Sequence, residues 1–416
     1  MHKRASYIIK QIIFLSFLIG FIGLGYSQDI HKVRKNLKQL CSKKYSGRGY
    51  IKSGDTKAAK YLSKKFKRFG LAKIKHSYFQ EYSFSINTFP SPIQLSIDNI
   101  ALIPGQDFVV KSSAITSSGN YPCLYLPLSD EQKELNLESY FLVGNKDYKE
   151  LAKEDIMHAK GFVYLQEKQP IWSVYPGRDT SSYLVFSINK NSLSDSIRTI
   201  QYQIESIYKT PHHTQNIWGM VKGKTYPDSL IIITAHYDHL GMMGNVMYPG
   251  GNDNASGTAM VLEMARYFSK KENQPALSLM FVLFSGEEAG LMGSKYMAKH
   301  FPLDLQKIQL QINVDMVATG SDGITMVNAK QFPDIFQRFV DINAKKHYLK
   351  EVTARGESCN SDHCPLYQEG VPSVFIYTRG SEATAYHIPE DSYESLPLTK
   401  FEDLFRLIRD YIQSEE

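Results

Sequence analysis

The sequence predicts an α/β protein: a three-layer α/β/α domain with a mainly parallel sheet, carrying an inserted β-rich accessory module. Three observations support this. The run Ser229–His239, SLIIITAHYDH, is a block of β-branched and aliphatic residues, the pattern of a strand buried on both faces. From Asn216 onward such blocks alternate with stretches of helical periodicity, which implies parallel strands crossed by helices on both faces. Between residues 115 and 205 the pattern is instead one of short apolar segments broken by Pro, Gly, Ser and Asn.

At the N-terminus, Lys3, Arg4 and Lys10 precede the apolar stretch Ile12–Leu24, which runs into Gly25, Tyr26, Ser27 and Gln28. This is the basic, apolar, small-residue order of a secretory signal peptide. Residues 1–27 are therefore expected to be removed and the remainder exported, to the periplasm or the exterior. The 13-residue apolar core is shorter than the roughly 20 residues that span a bilayer, so no stable membrane span is expected after cleavage. Of the formal charge of +6, three units lie in that segment, and the rest includes no basic run of the kind that binds nucleic acid. Hydrophobic content of 43% and charged content of 22% are those of a globular chain. Cys41, Cys123, Cys359 and Cys364 allow three disulfide pairings in an exported protein, and Cys359 and Cys364 are close enough to staple one loop. Their spacings lack the paired CxxC pattern of a thiolate zinc site.

Residues 28–114 are read as helices and strands belonging to the main domain. Ile30–Cys41 and Asp55–Phe69 have helical periodicity, with Ala58, Tyr61, Leu62, Phe66 and Phe69 on one stripe, and Tyr45–Gly49 forms a glycine-punctuated turn between them. Ile93–Ile97 and Phe108–Val110 read as short strands. In the insert, 115–205, strands are expected at Tyr140–Val143, Gly161–Leu165 and Tyr183–Ile188, with a helix at Tyr148–His158. The main domain resumes over 206–416. Strands are expected at Asn216–Val221, Leu230–Ala235, Leu277–Phe284, Ile308–Val314 and Val374–Tyr377, and helices at Ala255–Lys270, Leu291–His300 and 332–348. A closing helix carries the stripe Phe401, Leu404, Phe405, Ile408, Tyr411 and Ile412.

The candidate chemistry sits where these strands end. His236 and Asp238 close the central strand, Glu287 and Glu288 follow LSLMFVLF, and Asp315 ends QLQINVD. Asp253 lies in a glycine turn entering a helix, and His387 in a loop before the last helix. Taken singly, each has an ordinary reading: a helix cap for Asp253, a solvated surface for the Glu pair, a turn residue for Asp315. Together they require another explanation, because sheet topology gathers strand-end loops on one edge. Imidazole and carboxylate groups are ligands for zinc, and a two-metal site needs one bridging carboxylate and a further unliganded one to carry a proton.

The segments HYDHLG, GGNDNASGTA, FSGEEAGLMGS, NVDM, SDH and YHIPEDS, in that order, resemble the co-catalytic zinc aminopeptidase family, whose relatives include bacterial secreted leucyl aminopeptidases and the transferrin-receptor and glutamate-carboxypeptidase branch. A weaker similarity covers residues 30–90. The resemblance implies a zinc-exopeptidase fold, two zinc ions per chain and peptide substrates. It makes His236, Asp253, Glu288, Asp315 and His387 metal ligands: Asp253 bridging, His236 and Asp315 on one zinc, Glu288 and His387 on the other. Glu287 is then the general base, and Asp238 the partner that accepts the second ring N–H of His236. His239 is either a neighbour of the site or a packed histidine. Asp362, in the stretch Ser361–His363, orients neighbours, and Asp391 either supports the site or caps the last helix. His212 and His213 read as surface residues. No tyrosine stands just upstream of Ser361, leaving Tyr386 and Tyr377 as candidates for the oxyanion partner, while Met316 and the aromatics around Phe375–Tyr386 are candidates for lining a side-chain pocket. The insert resembles a protease-associated domain. A glutaminyl-cyclase-like transferase with one zinc, a carboxypeptidase or dipeptidase, and a catalytically inert peptide binder remain alternatives.

Overall fold

A computed structural model describes residues 28–145, 158–177, 184–193 and 196–414. The signal-peptide segment and most of the helix expected at Tyr148–His158 lie outside the described residues. After two helices, Ile30–Leu40 and Gly54–Phe69, the chain enters β1 (Phe79–Thr88). It then builds a separate sheet from β2 (Gln94–Ile97), β3 (Ile100–Ala101), β4 (Phe108–Val110), β5 (Ser117–Tyr125), β6 (Phe141–Gly144), β7 (Gly161–Gln166), β8 (Leu184–Asn189) and β9 (Thr199–Ile204). The main sheet resumes with β10 (Ile207–Val221) and β11 (Tyr226–His236); a small hairpin follows, β12 (Gly241–Met243) and β13 (Val246–Tyr248). The last strands are β14 (Leu277–Phe284), β15 (Ile308–Val314), β16 (Gly323–Val327), β17 (Val352–Ala354) and β18 (Ser373–Arg379).

The main sheet has the order β1-β10-β14-β11-β15-β18-β16-β17. Its centre, β14-β11-β15-β18, is parallel, whereas β1, β10 and β16 join antiparallel. The parallel centre follows from sequence: β11 and β14 are apolar on both faces, so both faces need a helical cover. Ile231 and Ile233 turn toward a core shared with the helices Gly54–Phe69, Gly257–Phe268 and Phe401–Gln413. Leu230 and Ile232 turn the other way, toward Met297 and Ala298 of the helix Met292–Lys299. All six residues of the stripe expected on the closing helix are buried. Among the described residues, no helix is long and apolar enough to cross a membrane.

Two boundaries differ from the sequence reading. β10 begins at Ile207 rather than Asn216, because its polar first half pairs along its length with β1, a long-range partner that periodicity does not reveal. The accessory sheet, in the order β3-β2-β9-β5-β6-β7-β8-β4, begins at Gln94, ahead of residue 115. β2 pairs with β9 and β4 with β8, so strands separated by some eighty residues or more lie in one sheet. Its core, built on Phe108, Phe141, Phe186 and Tyr202, is continuous with Tyr50, Phe89, Leu240 and Tyr248 beside the main sheet.

Candidate metal centre

Parallel pairing of β14, β11 and β15 places their C-terminal ends along one edge, the usual ligand position of an open α/β sheet. His236 is the last residue of β11, Glu287 and Glu288 follow β14 by a short turn, and Asp315 directly follows β15. Asp253 arrives from the turn Gly250–Ser256, held by the buried carboxylate of Asp391, which accepts the N–H groups of Asn252 (2.7 Å) and Asp253 (3.1 Å). Asp391 therefore supports the turn and does not cap the closing helix, which starts at Phe401. His387 comes from the far loop with a left-handed backbone, φ 55°.

The structure brings His236, Asp253, Glu287, Glu288, Asp315 and His387 together. His236 Nε2 lies 3.2 Å from Asp253 Oδ1 and 3.4 Å from Asp315 Oδ1. His387 Nε2 lies 3.0 Å from Asp253 Oδ2 and 3.3 Å from Glu288 Oε2. These separations fit a metal shell, since ligand atoms held tetrahedrally at 2.0–2.1 Å bonds stand about 3.3 Å apart. His236 Nε2, Asp315 Oδ1 and Glu288 Oε1 are buried without a well-formed hydrogen bond, which is costly unless a cation completes them. Ligand atoms of His236, Asp253 and Glu288, and of His236, Glu287 and Asp315, fall within 4.8 Å of one another.

Electrostatics point the same way. Burial lowers the His236 pKa, yet Asp315, Glu287 and the contacts to Asp238 and Asp253 together hold it well above the usual histidine range. His387 is buried too, but Glu288 and Asp253 hold it at about 11. The cage thus demands positive charge. Its two adjacent glutamates respond oppositely. Burial pushes Glu287 up, and Glu288, Asp362 and Asp315 add to the rise against the pull of His236, so Glu287 stands well above the carboxylate range. Glu288 is also buried, but His387 and His239 hold it down at about 2. One carboxyl suited to carrying a proton beside one that stays anionic is the separation that acid–base chemistry requires.

The supporting contacts differ from the sequence reading in several places. His236 Nδ1–H donates to the backbone carbonyl of Asp238 at 3.2 Å, whereas the Asp238 carboxylate is 3.7 Å away. That carboxylate instead accepts the Tyr50 hydroxyl (2.6 Å) and the Glu287 backbone N–H (3.3 Å), tying Glu287 to the lead-in segment. His239, fully buried with Nδ1 2.6 Å from Glu288 Oε1, is a neighbour of the site, the first of its two readings. Ser361 Oγ donates to Asp315 Oδ2 at 2.9 Å, and Asp362 accepts Ser294 Oγ at 2.5 Å. His363 bonds the Ser358 carbonyl and packs on Phe375, away from the cage. His212 is not a surface residue: its Nε2 is 2.8 Å from the buried Asp55 carboxylate, while His213 is exposed. Tyr386 stacks on His387 at 3.9 Å, whereas Tyr377 packs beside Phe375 on β18. Met316 follows Asp315 with φ 56°, its carbonyl accepting Thr378. Cys359 and Cys364 form a disulfide, and Cys41 and Cys123 are free.

The sequence reading misses Arg48 and Tyr50. Arg48 is completely buried and its guanidinium donates to the carbonyls of Tyr237 (2.7 Å), Pro249 (2.5 Å), Gly250 (2.7 Å) and Leu40 (3.3 Å). It pins the end of β11 to the turn that carries Asp253. The flanking glycines are the available signal: a Cβ on Gly47 would meet the carbonyls of Gly241 and Tyr248, each at 2.4 Å, so the turn packs backbone against backbone.

Fold and donor set define the class: an α/β domain with a carboxylate–imidazole cage for divalent metal at its carboxyl edge. Residues 216–412 match the model of Peptidase family M28. Among curated relatives, aminopeptidase YwaD of Bacillus subtilis is 31% identical over 198 residues, covering 45% of this chain and 41% of that protein. A probable leucine aminopeptidase of Arthroderma otae is 26% identical over 215 residues, covering 50% of this chain and 58% of that protein. The chain thus spans only about half the length of these relatives. The solved structure of BSAP, a zinc aminopeptidase from Bacillus subtilis, shares the fold at a TM-score of 0.69 and 21% identity, over 92% of this chain and 94% of that one. A glutaminyl cyclase of Porphyromonas gingivalis shares it at a TM-score of 0.50 and 12% identity, over 94% of this chain and all (100%) of that one.

Proposed function

We propose that the protein is an exported metallo-aminopeptidase that removes N-terminal residues from peptides with two zinc ions. The observation that carries this reading is the position of Asp253, whose two oxygens face two different histidines, Oδ1 toward His236 at 3.2 Å and Oδ2 toward His387 at 3.0 Å. A carboxylate so placed would bridge two ions. His236 and Asp315 would hold one ion, Glu288 and His387 the other. Bound there, zinc polarises a carbonyl and makes water a nucleophile near neutral pH. Glu287 takes the water's proton and returns it to the leaving amine. Asp238 and Tyr50 hold the Glu287 backbone in place, and Tyr386, stacked on His387, would donate toward a developing oxyanion. Export rests on the sequence pattern of residues 1–27 alone.

The aminopeptidase reading is supported by the relatives that carry that name, aminopeptidase YwaD of Bacillus subtilis among them. Digesting a mixed peptide set in free and N-acetylated forms tests this. Trimming should proceed from the free N-terminus and stop on acetylation. Loss of C-terminal residues, or cyclisation of N-terminal glutaminyl peptides without hydrolysis, would overturn the assignment.

A further inference from the structure

The accessory sheet reaches the metal centre through one segment. Between β7 and β8 the residues 167–177 leave that sheet and run against the loop that carries His387. The Trp172 backbone N–H donates to the His387 carbonyl at 3.1 Å. Three residues earlier, the Gln169 amide donates both to Gly105 O and to Glu390 Oε2, each at 2.9 Å, three residues beyond His387. The strap is itself anchored. The Trp172 indole is 4% exposed, donates to Val110 O on β4 at 3.1 Å, and packs on Tyr248 at 5.1 Å. His387 needs such a hold, because its left-handed backbone, φ 55°, is one that L side chains rarely adopt and that surrounding contacts must impose.

We propose that the accessory sheet is a working part of the metal centre: Trp172 and Gln169 are positioning residues that set His387 and thereby fix the affinity of one metal position. The two positions differ in what supports them. His236 ends β11 and Asp315 directly follows β15, its neighbour in the main sheet, so neither is carried by the loop that the strap holds. His387 is held by a loop whose described contacts include the strap. Loosening the strap therefore weakens the Glu288–His387 position and spares the His236–Asp315 position. This inference rests on the two-zinc reading above.

The test is zinc binding by the full chain, measured by competition with a chromophoric chelator, for wild type, Trp172→Ala and Gln169→Ala. Wild type should bind two zinc ions. Trp172→Ala should weaken one of them at least tenfold and leave the other within twofold, and Gln169→Ala should weaken the same one by a smaller factor. Should Trp172→Ala fail to fold, Trp172→Phe, which keeps the ring packing and loses the indole donor, takes its place beside Gln169→Ala. Unchanged affinities for both ions in these variants would overturn the proposal, as would equal weakening of both. A wild-type chain that binds fewer than two zinc ions would instead remove the two-metal reading beneath it.

Discussion

Glu287→Gln is expected to retain the full zinc complement and lose turnover by about 1,000-fold or more, the range expected for loss of a general base. The geometry makes this a sharp test. Glu287 lies within ligand reach of His236 and Asp315, so distance alone would allow it to bind metal. Burial and neighbouring carboxylates raise its pKa well above the carboxylate range, which suits a proton carrier, while Glu288 Oε2 stands 3.3 Å from His387 Nε2. Glutamine keeps the shape and cannot carry the proton. Metal analysis and steady-state rates on the same preparation separate the roles. Loss of a zinc ion in this variant would make Glu287 a ligand, and near-normal turnover would leave the proton carrier unidentified.

Arg48→Met is expected to produce the largest loss of stability. Four buried carbonyls, those of Leu40, Tyr237, Pro249 and Gly250, lose their donor at once. Each unsatisfied group costs roughly 1–3 kcal/mol, partly offset because a buried cation is removed as well, for a net loss of about 4 kcal/mol. Lysine should not rescue it, since a single ammonium cannot reproduce the planar fork that reaches four acceptors. The same change frees the turn carrying Asp253, so zinc affinity should fall with stability. Denaturant midpoints and zinc titrations measure both; a variant with unchanged midpoint would show that Arg48 is not the pin between β11 and that turn.

How much of this is legible in sequence depends on distance along the chain. His236, Glu287 and Asp315 stand at the ends of apolar runs, and local periodicity is enough to align those runs and expose their ends. Asp253 and His387 sit in loops, and only their motifs mark them. Arg48 and Tyr50 are illegible for a different reason. Their roles depend on carbonyls and a carboxylate nearly two hundred residues away, around Tyr237, Asp238 and Gly250, and a short turn gives no hint of what it will meet. His212 belongs with them, since its partner Asp55 is distant and the polar start of β10 resembles a surface. The reach of the accessory sheet to Gln94 is hidden similarly, because strands of two to four residues carry no signal of pairing partners.

Anomalous diffraction at the zinc edge from crystals of the zinc-loaded protein tests the central claim most directly. Two peaks roughly 3.5–4 Å apart are predicted on either side of the Asp253 carboxylate, one against His236 and Asp315 and one against Glu288 and His387. A single peak, or peaks that leave Asp253 uncoordinated, would contradict the account.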